Sequence, residues 1–181
     1  FSNNIPLKDK KITSEVCIHH LTFTDKDYDK FGARIKWNPA IKTENDMNML
    51  LSGLNNDLID VIATDHAPHT LEAKSAGFPR APAGMPGVET SLPVMLTHAV
   101  GGKCSVRDVV NWMCEGPAKV YGVEKKGSII EGYDADLTLV DLETHRIVSD
   151  EDTWTKVGWT PYAGRELTGW PIYTLSLIHI S

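Results

Sequence analysis

The densest cluster of ionisable groups in the chain is Asp65-His66-Ala67-Pro68-His69. An aspartate can ligate a hard or borderline metal through one carboxylate oxygen and move protons with the other. The proline stiffens the segment and fixes where His69 points. From the residues alone two accounts stand side by side: a metal-assisted acid/base site, or an aspartate capping a turn with two surface histidines, the commoner case for a lone Asp-His pair. A second cluster, His19-His20, offers imidazole nitrogens to a metal, although a strand-end histidine satisfied by a hydrogen bond is the commoner arrangement. Adjacent strand residues point to opposite faces, so at most one of the two faces an interior, and His19 then shares a face with Glu15 and Cys17. Asn38-Pro39, after Trp37, is a turn signal that presents one amide at a strand end.

These residues need elements to hold them. Ile12 to Leu21 (ITSEVCIHHL) is rich in β-branched residues and reads as a strand, and Asp60 to Thr64 (DVIAT) as a short strand buried on both faces. Between them Met47, Leu50, Leu51 and Leu54 fall at helical spacing behind the capping pair Thr43 and Asp46. Strand, helix and buried strand in that order imply a βαβ unit, hence a parallel sheet covered by helices. Asp65 follows the second strand at its C-terminal end, where α/β architectures bind ligands. The Pro/Gly-rich stretch from Ala67 to Gly87 is too long for a simple connection and is a candidate binding loop. A helix is expected over Val88 to Val100. Another starts at Ser105, boxed with Asp108, with Val106, Val109, Val110 and Met113 on one face. From Gly127 short alternating segments suggest antiparallel strands in a second, β-rich unit.

Composition narrows the function classes. The chain has 181 residues, 41% apolar and 23% charged, which is globular and suggests one domain by length. Its net charge of -6, with no basic stripe, disfavours nucleic acid as a partner. No apolar run approaches the ~20 residues of a membrane span. Cys17, Cys104 and Cys114 are odd in number and lack zinc-knuckle spacing, so reduced thiols and a cytoplasmic location are expected.

Taken together the segments resemble the class I dihydroorotases of the amidohydrolase superfamily. ATDHAPHTLEAK, Ala63 to Lys74, matches the family's long signature. SEVCIHHL resembles its seventh barrel strand, KWNPAIKT its Asn-Pro segment, DVIATDHAPH its eighth strand, and APAGMPGVETSLPVML its substrate loop and following helix. EGPAKVYGV resembles the last barrel helix, and GSIIEGYDADLTLVDL the β-rich unit that closes the chain. The resemblance runs from Ile12 to Tyr173. It implies an α/β fold, the C-terminal part of a metal-dependent (β/α)8 TIM barrel with strands 7 and 8, over residues 1–126. A β-rich composite domain segment would follow over 127–174. The last stretch, 175–181 (LSLIHIS), resembles the in-frame translation of a sequencing-library transposon end and reads as an artefact.

The family's other metal ligands lie on strands one, four, five and six, which have no counterpart here. A complete barrel takes ~250 residues, so the resemblance implies a fragment, and the absence of an initial Met agrees. Such a fragment alone is expected to be inactive and to hold metal poorly. By resemblance Asp65 is the eighth-strand metal ligand and general acid/base. His69 binds the substrate's carboxylate side, Asn38 contacts its ring, and the backbone of Ala83-Gly84 hydrogen-bonds the ring, with Ala83 departing from the usual Phe. His19 and His20 inherit no ligand role. One or two zinc ions and a small-molecule substrate, dihydroorotate or N-carbamoyl-L-aspartate, are implied. A homo-oligomer or a complex with another pyrimidine-pathway enzyme is the expected assembly. Two rivals remain: another cyclic-amide hydrolase such as an allantoinase or hydantoinase, against which His69 argues, and a non-catalytic dihydroorotase-like scaffold subunit.

Overall fold

The computed structural model describes residues 5–176. Strand β1, Glu15–Cys17, pairs in parallel with β2, Val61–Ala63, in the register Glu15↔Val61, Val16↔Ile62 and Cys17↔Ala63. Asp60 anchors the N-terminal ends of both: its carboxylate forms an ion pair with Lys10 and accepts the Ser14 amide at 2.9 Å. The βαβ expectation is met, but the first strand is shorter than Ile12 to Leu21. Ile12 is exposed, and Ile18–Leu21 winds into a 3-10 turn. Local bonds win there over β-propensity: the Thr22 hydroxyl donates to the Ile18 carbonyl at 2.8 Å and the Phe23 amide to that of His19 at 3.0 Å.

Between the strands lie the four-residue helix α1, Tyr28–Phe31, and helix α2, Glu44–Asn55. Thr43 caps α2 in a reciprocal box with Asp46, an arrangement worth about 1 kcal/mol. Leu54 is fully buried while Met47, Leu50 and Leu51 are half-buried, so the expected face is the inward one. After β2 the long loop carries a short helix α3, Leu71–Ser75, and leads to α4, Val88–Val100, whose bounds agree with the sequence reading. Helix α5, Val106–Val110, starts at the Ser105–Asp108 box and widens into a π turn, Asn111–Glu115, before α6, Gly116–Val120. The wide turn shifts the buried face, so Val109 and Trp112 point inward and Val110 outward.

Beyond residue 126 the expected alternating strands are replaced up to Ala135 by turns, tied by Lys126 to Asp134 and Asp136 and by the Asp134 amide to Lys125. One long strand follows, β3, Leu137–Ile147, antiparallel to β4, Glu166–Leu175. Residues 177–181 of the segment read as an artefact lie outside the described residues. Strand β4 lies against α4: the Thr97 hydroxyl accepts the Thr168 amide at 2.8 Å. Gly169, at φ 89, lets the backbone approach, because a Cβ there would sit 2.6 Å from Leu96 Cβ. One apolar cluster joins Val16, Phe23 and Trp37 to Val148, Trp159, Tyr162 and Leu167, so the core draws on residues from both sides of position 127.

Candidate active site at the C-terminal strand ends

The parallel register brings Cys17 and Ala63 level, so the residues just beyond them share one end of the sheet. Asp65 follows β2 by two residues, with an exposed carboxylate and a φ of 46. A non-glycine in the left-handed region is uncommon, Asp tolerates it better than most, and such positions cluster at functional sites. The Asp65 charge is felt across the strand end by both Cys17 and His20.

His66 does not enter this group. Its Nδ1 accepts the amides of Gly87 at 3.0 Å and Val88 at 3.3 Å, which gives α4 the N-terminal cap that Gly87 has no side chain to supply. His69 reaches across the loop instead: its Nε2–H donates to the Ala83 carbonyl at 3.0 Å, while its own carbonyl accepts the buried Trp159 indole at 2.8 Å. His69 and Ala83, both expected at the site, are therefore brought together. Gly84 is buried at φ 115, and a Cβ on it would collide with Ala67 O at 2.6 Å. Its amide donates to the Lys36 carbonyl at 2.9 Å, so one N–H of the backbone pair that the resemblance assigns to a substrate ring is engaged within the chain. Asn38 is exposed, and the His20 Nε2–H, donating to Pro39 O at 2.9 Å, buttresses the segment that carries it.

Two residues that the sequence reading left without a role organise this loop. Lys74 is 2% exposed, and its ammonium donates to the carbonyls of Gly84 at 2.8 Å and Pro82 at 3.0 Å and, at 3.4 Å, to that of Lys36. Burial, helped by the neighbouring Lys36, pushes its pKa down to about 8. The lysine that ends the Ala63 to Lys74 signature was the available signal. Trp159 had none, since only the fold brings residue 159 to His69.

The histidine pair differs from expectation. Because Ile18–Leu21 is a turn and not a strand, His19 and His20 do not point to opposite faces, and a donor atom from each lies within 4.8 Å of the Cys17 thiol and of the other. His20 has its hydrogen bond. His19 is fully buried, stacked on Trp37 with ring centroids 4.3 Å apart, and neither ring nitrogen has a partner among the described residues. Burial holds its pKa down to about 3 with a smaller push from His20, so the ring is neutral. Burial, then Asp65 and Glu15, raises the Cys17 thiol to about 11.

The amidohydrolase family's sequence profile matches residues 7–174. The chain belongs to the amidohydrolase family. It is 39% identical over 166 residues to a dihydroorotase of Anoxybacillus flavithermus and 40% identical over 166 residues to one of Halalkalibacterium halodurans, covering 91% of this chain each time. This amidohydrolase chain spans 39% of the length of either relative. Among solved structures it is similar to an L-hydantoinase from Arthrobacter aurescens, TM-score 0.86 at 33% identity, covering 90% of this chain and 37% of that one. It is also similar to a dihydropyrimidinase from Brevibacillus agri, TM-score 0.85 at 26% identity, covering 91% of this chain and 38% of that one. The family and these neighbours fit a TIM-barrel portion with α/β architecture.

The family is generally metal-dependent, and Asp65 offers a metal one oxygen donor, an exposed carboxylate at a strand end. Catalytic zinc takes about three protein ligands, so Asp65 alone does not make such a centre.

Proposed function

We propose that the chain is the C-terminal portion of a class I dihydroorotase, interconverting dihydroorotate and N-carbamoyl-L-aspartate by opening and closing a cyclic amide. The observation that carries this is Asp65, held in the left-handed region at the end of β2 beside a loop pinned by His69. The dihydroorotase relatives support the substrate, and the two short parallel strands support a larger barrel, since parallel sheets are stable only with both faces covered. A composite domain over 127–174, a cytoplasmic location and an oligomer or pathway complex belong to the same proposal.

Zinc, when bound, supplies a Lewis acid that polarises the ring carbonyl. In the ring-opening direction Asp65 takes a proton from the attacking water and delivers it to the leaving ring nitrogen. With Nε2–H of His69 donated to the Ala83 carbonyl, Nδ1 is the ring atom left for the substrate carboxylate, which it binds only as an N–H donor, with both ring nitrogens protonated. Asn38 and the Ala83 backbone hold the ring so that the carbonyl faces the attack, with Gly84, tied to Lys36 and Lys74, fixing the position of Ala83, and such positioning matters as much as the proton transfer.

The hydantoinase neighbours support a second reading, a hydantoinase-like amidase. The whole protein that carries this chain, loaded with zinc, should open dihydroorotate in preference to hydantoin or dihydrouracil. Preference for hydantoin would establish the second reading, and no turnover of any of the three with zinc in place would point to a scaffold subunit.

A further inference from the structure

Cys17, His19 and His20 lie within four residues where β1 ends, each with one donor atom within 4.8 Å of the others. Around tetrahedral zinc, Zn–S of ~2.3 Å and Zn–N of ~2.0–2.1 Å set donors roughly 3.3–3.6 Å apart, so side-chain shifts of about an ångström close the set. His19 supplies an independent observation: its ring is fully buried, yet both nitrogens lack a partner among the described residues. A buried polar group left unpaired is costly, and a cation at this point gives it a bond. Stacking on Trp37 fixes the plane of the His19 ring. The bond from His20 Nε2–H to Pro39 O leaves Nδ1 as that ring's lone-pair donor, the way outer hydrogen bonds orient ligand histidines. Asp65 adds negative charge nearby. One thiolate and two imidazoles select a thiophilic or borderline ion over magnesium or calcium.

We propose that Cys17, His19 and His20 form a binding site for a thiophilic divalent cation, Zn2+ or Cd2+, distinct from the centre to which Asp65 contributes. On binding, the Cys17 thiol releases its proton to solvent and a sulfur–metal bond forms, with no change of oxidation state. The fourth position is open to water. The inference uses only these three side chains and does not need the dihydroorotase reading.

The test is a Cd2+ titration of the whole protein that carries this chain, stripped of metal and followed by the ultraviolet thiolate-to-cadmium charge-transfer band. The wild type should show one equivalent more of this band than Cys17→Ser. His20→Asn should weaken that equivalent by at least about tenfold, while Cys104→Ser and Asp65→Asn should retain it. Identical bands in wild type and Cys17→Ser overturn the proposal, as does loss of the Cys17-dependent band in Asp65→Asn, which would make the thiol part of the Asp65 centre. If either Cys17→Ser or His20→Asn fails to fold, the other, or Cys17→Ala, carries the comparison. Dihydroorotate turnover is assayed separately, so a band without turnover refutes the functional reading alone.

Discussion

Two histidines in Asp65-His66-Ala67-Pro68-His69 have different tasks, and their types alone do not tell them apart. His66 accepts two amides at the start of α4, whereas His69 bridges to Ala83 and is held from behind by Trp159. The short segment was legible as chemistry, and its long signature singled out Asp65 and His69 as the candidates. The convergence of Cys17, His19 and His20 was not legible, because strand geometry was assumed through Leu21 and the turn that gathers them depends on the Thr22 and Phe23 bonds. At this scale the His69→Asn variant should raise KM for dihydroorotate about 10- to 100-fold with a smaller change in kcat, since a charge-assisted contact to the substrate carboxylate is lost. Steady-state kinetics on the zinc-loaded whole protein decide it: a fall in kcat at unchanged KM would contradict the binding role.

The elements that hold the site follow from local signals wherever those are strong. The boxes at Thr43 and Ser105 and the apolar spacing behind them were readable, as was α4. The loop between β2 and α4 was readable only as a loop. Its order comes from Lys36 and Lys74, whose ammonium groups donate to backbone carbonyls and not to carboxylates, a pattern that charge-pair reasoning from sequence does not find. Lys74 carries a testable signature. Its pKa is about 8 in the folded protein against the ordinary lysine value of 10.5, so between those two values the unfolded chain binds more protons than the folded one. Stability should therefore rise with pH across pH 8 to 10.5 through this group, whose destabilisation is full and independent of pH below pH 8. In Lys74→Met that contribution is absent, so the Tm of the wild type should gain on that of the variant across the window. Parallel Tm curves would contradict a buried, charge-strained lysine.

For the molecule as a whole, the sheet pieces are small and their apolar surfaces large. Strands β1 and β2 form a two-stranded parallel sheet, and β3 and β4 leave Leu139, Ile147, Tyr173 and Leu175 exposed. Both features suit a portion of a larger protein, as does a chain that spans 39% of its dihydroorotase relatives. The fold class was legible through a family signature and a parallel βαβ reading. The shared core was not, because Trp159 and Tyr162 reach Phe23 and Trp37 only through tertiary packing. The central claim, that Asp65 moves the proton in this amidohydrolase, is tested most directly by the kcat of Asp65→Asn in the zinc-loaded whole protein with metal content measured. Asn keeps the size and one carbonyl oxygen but accepts no proton at neutral pH, so the account predicts unchanged metal content and a kcat lower by at least about 10²-fold. With metal in place, retention of more than about a tenth of the wild-type kcat would contradict it.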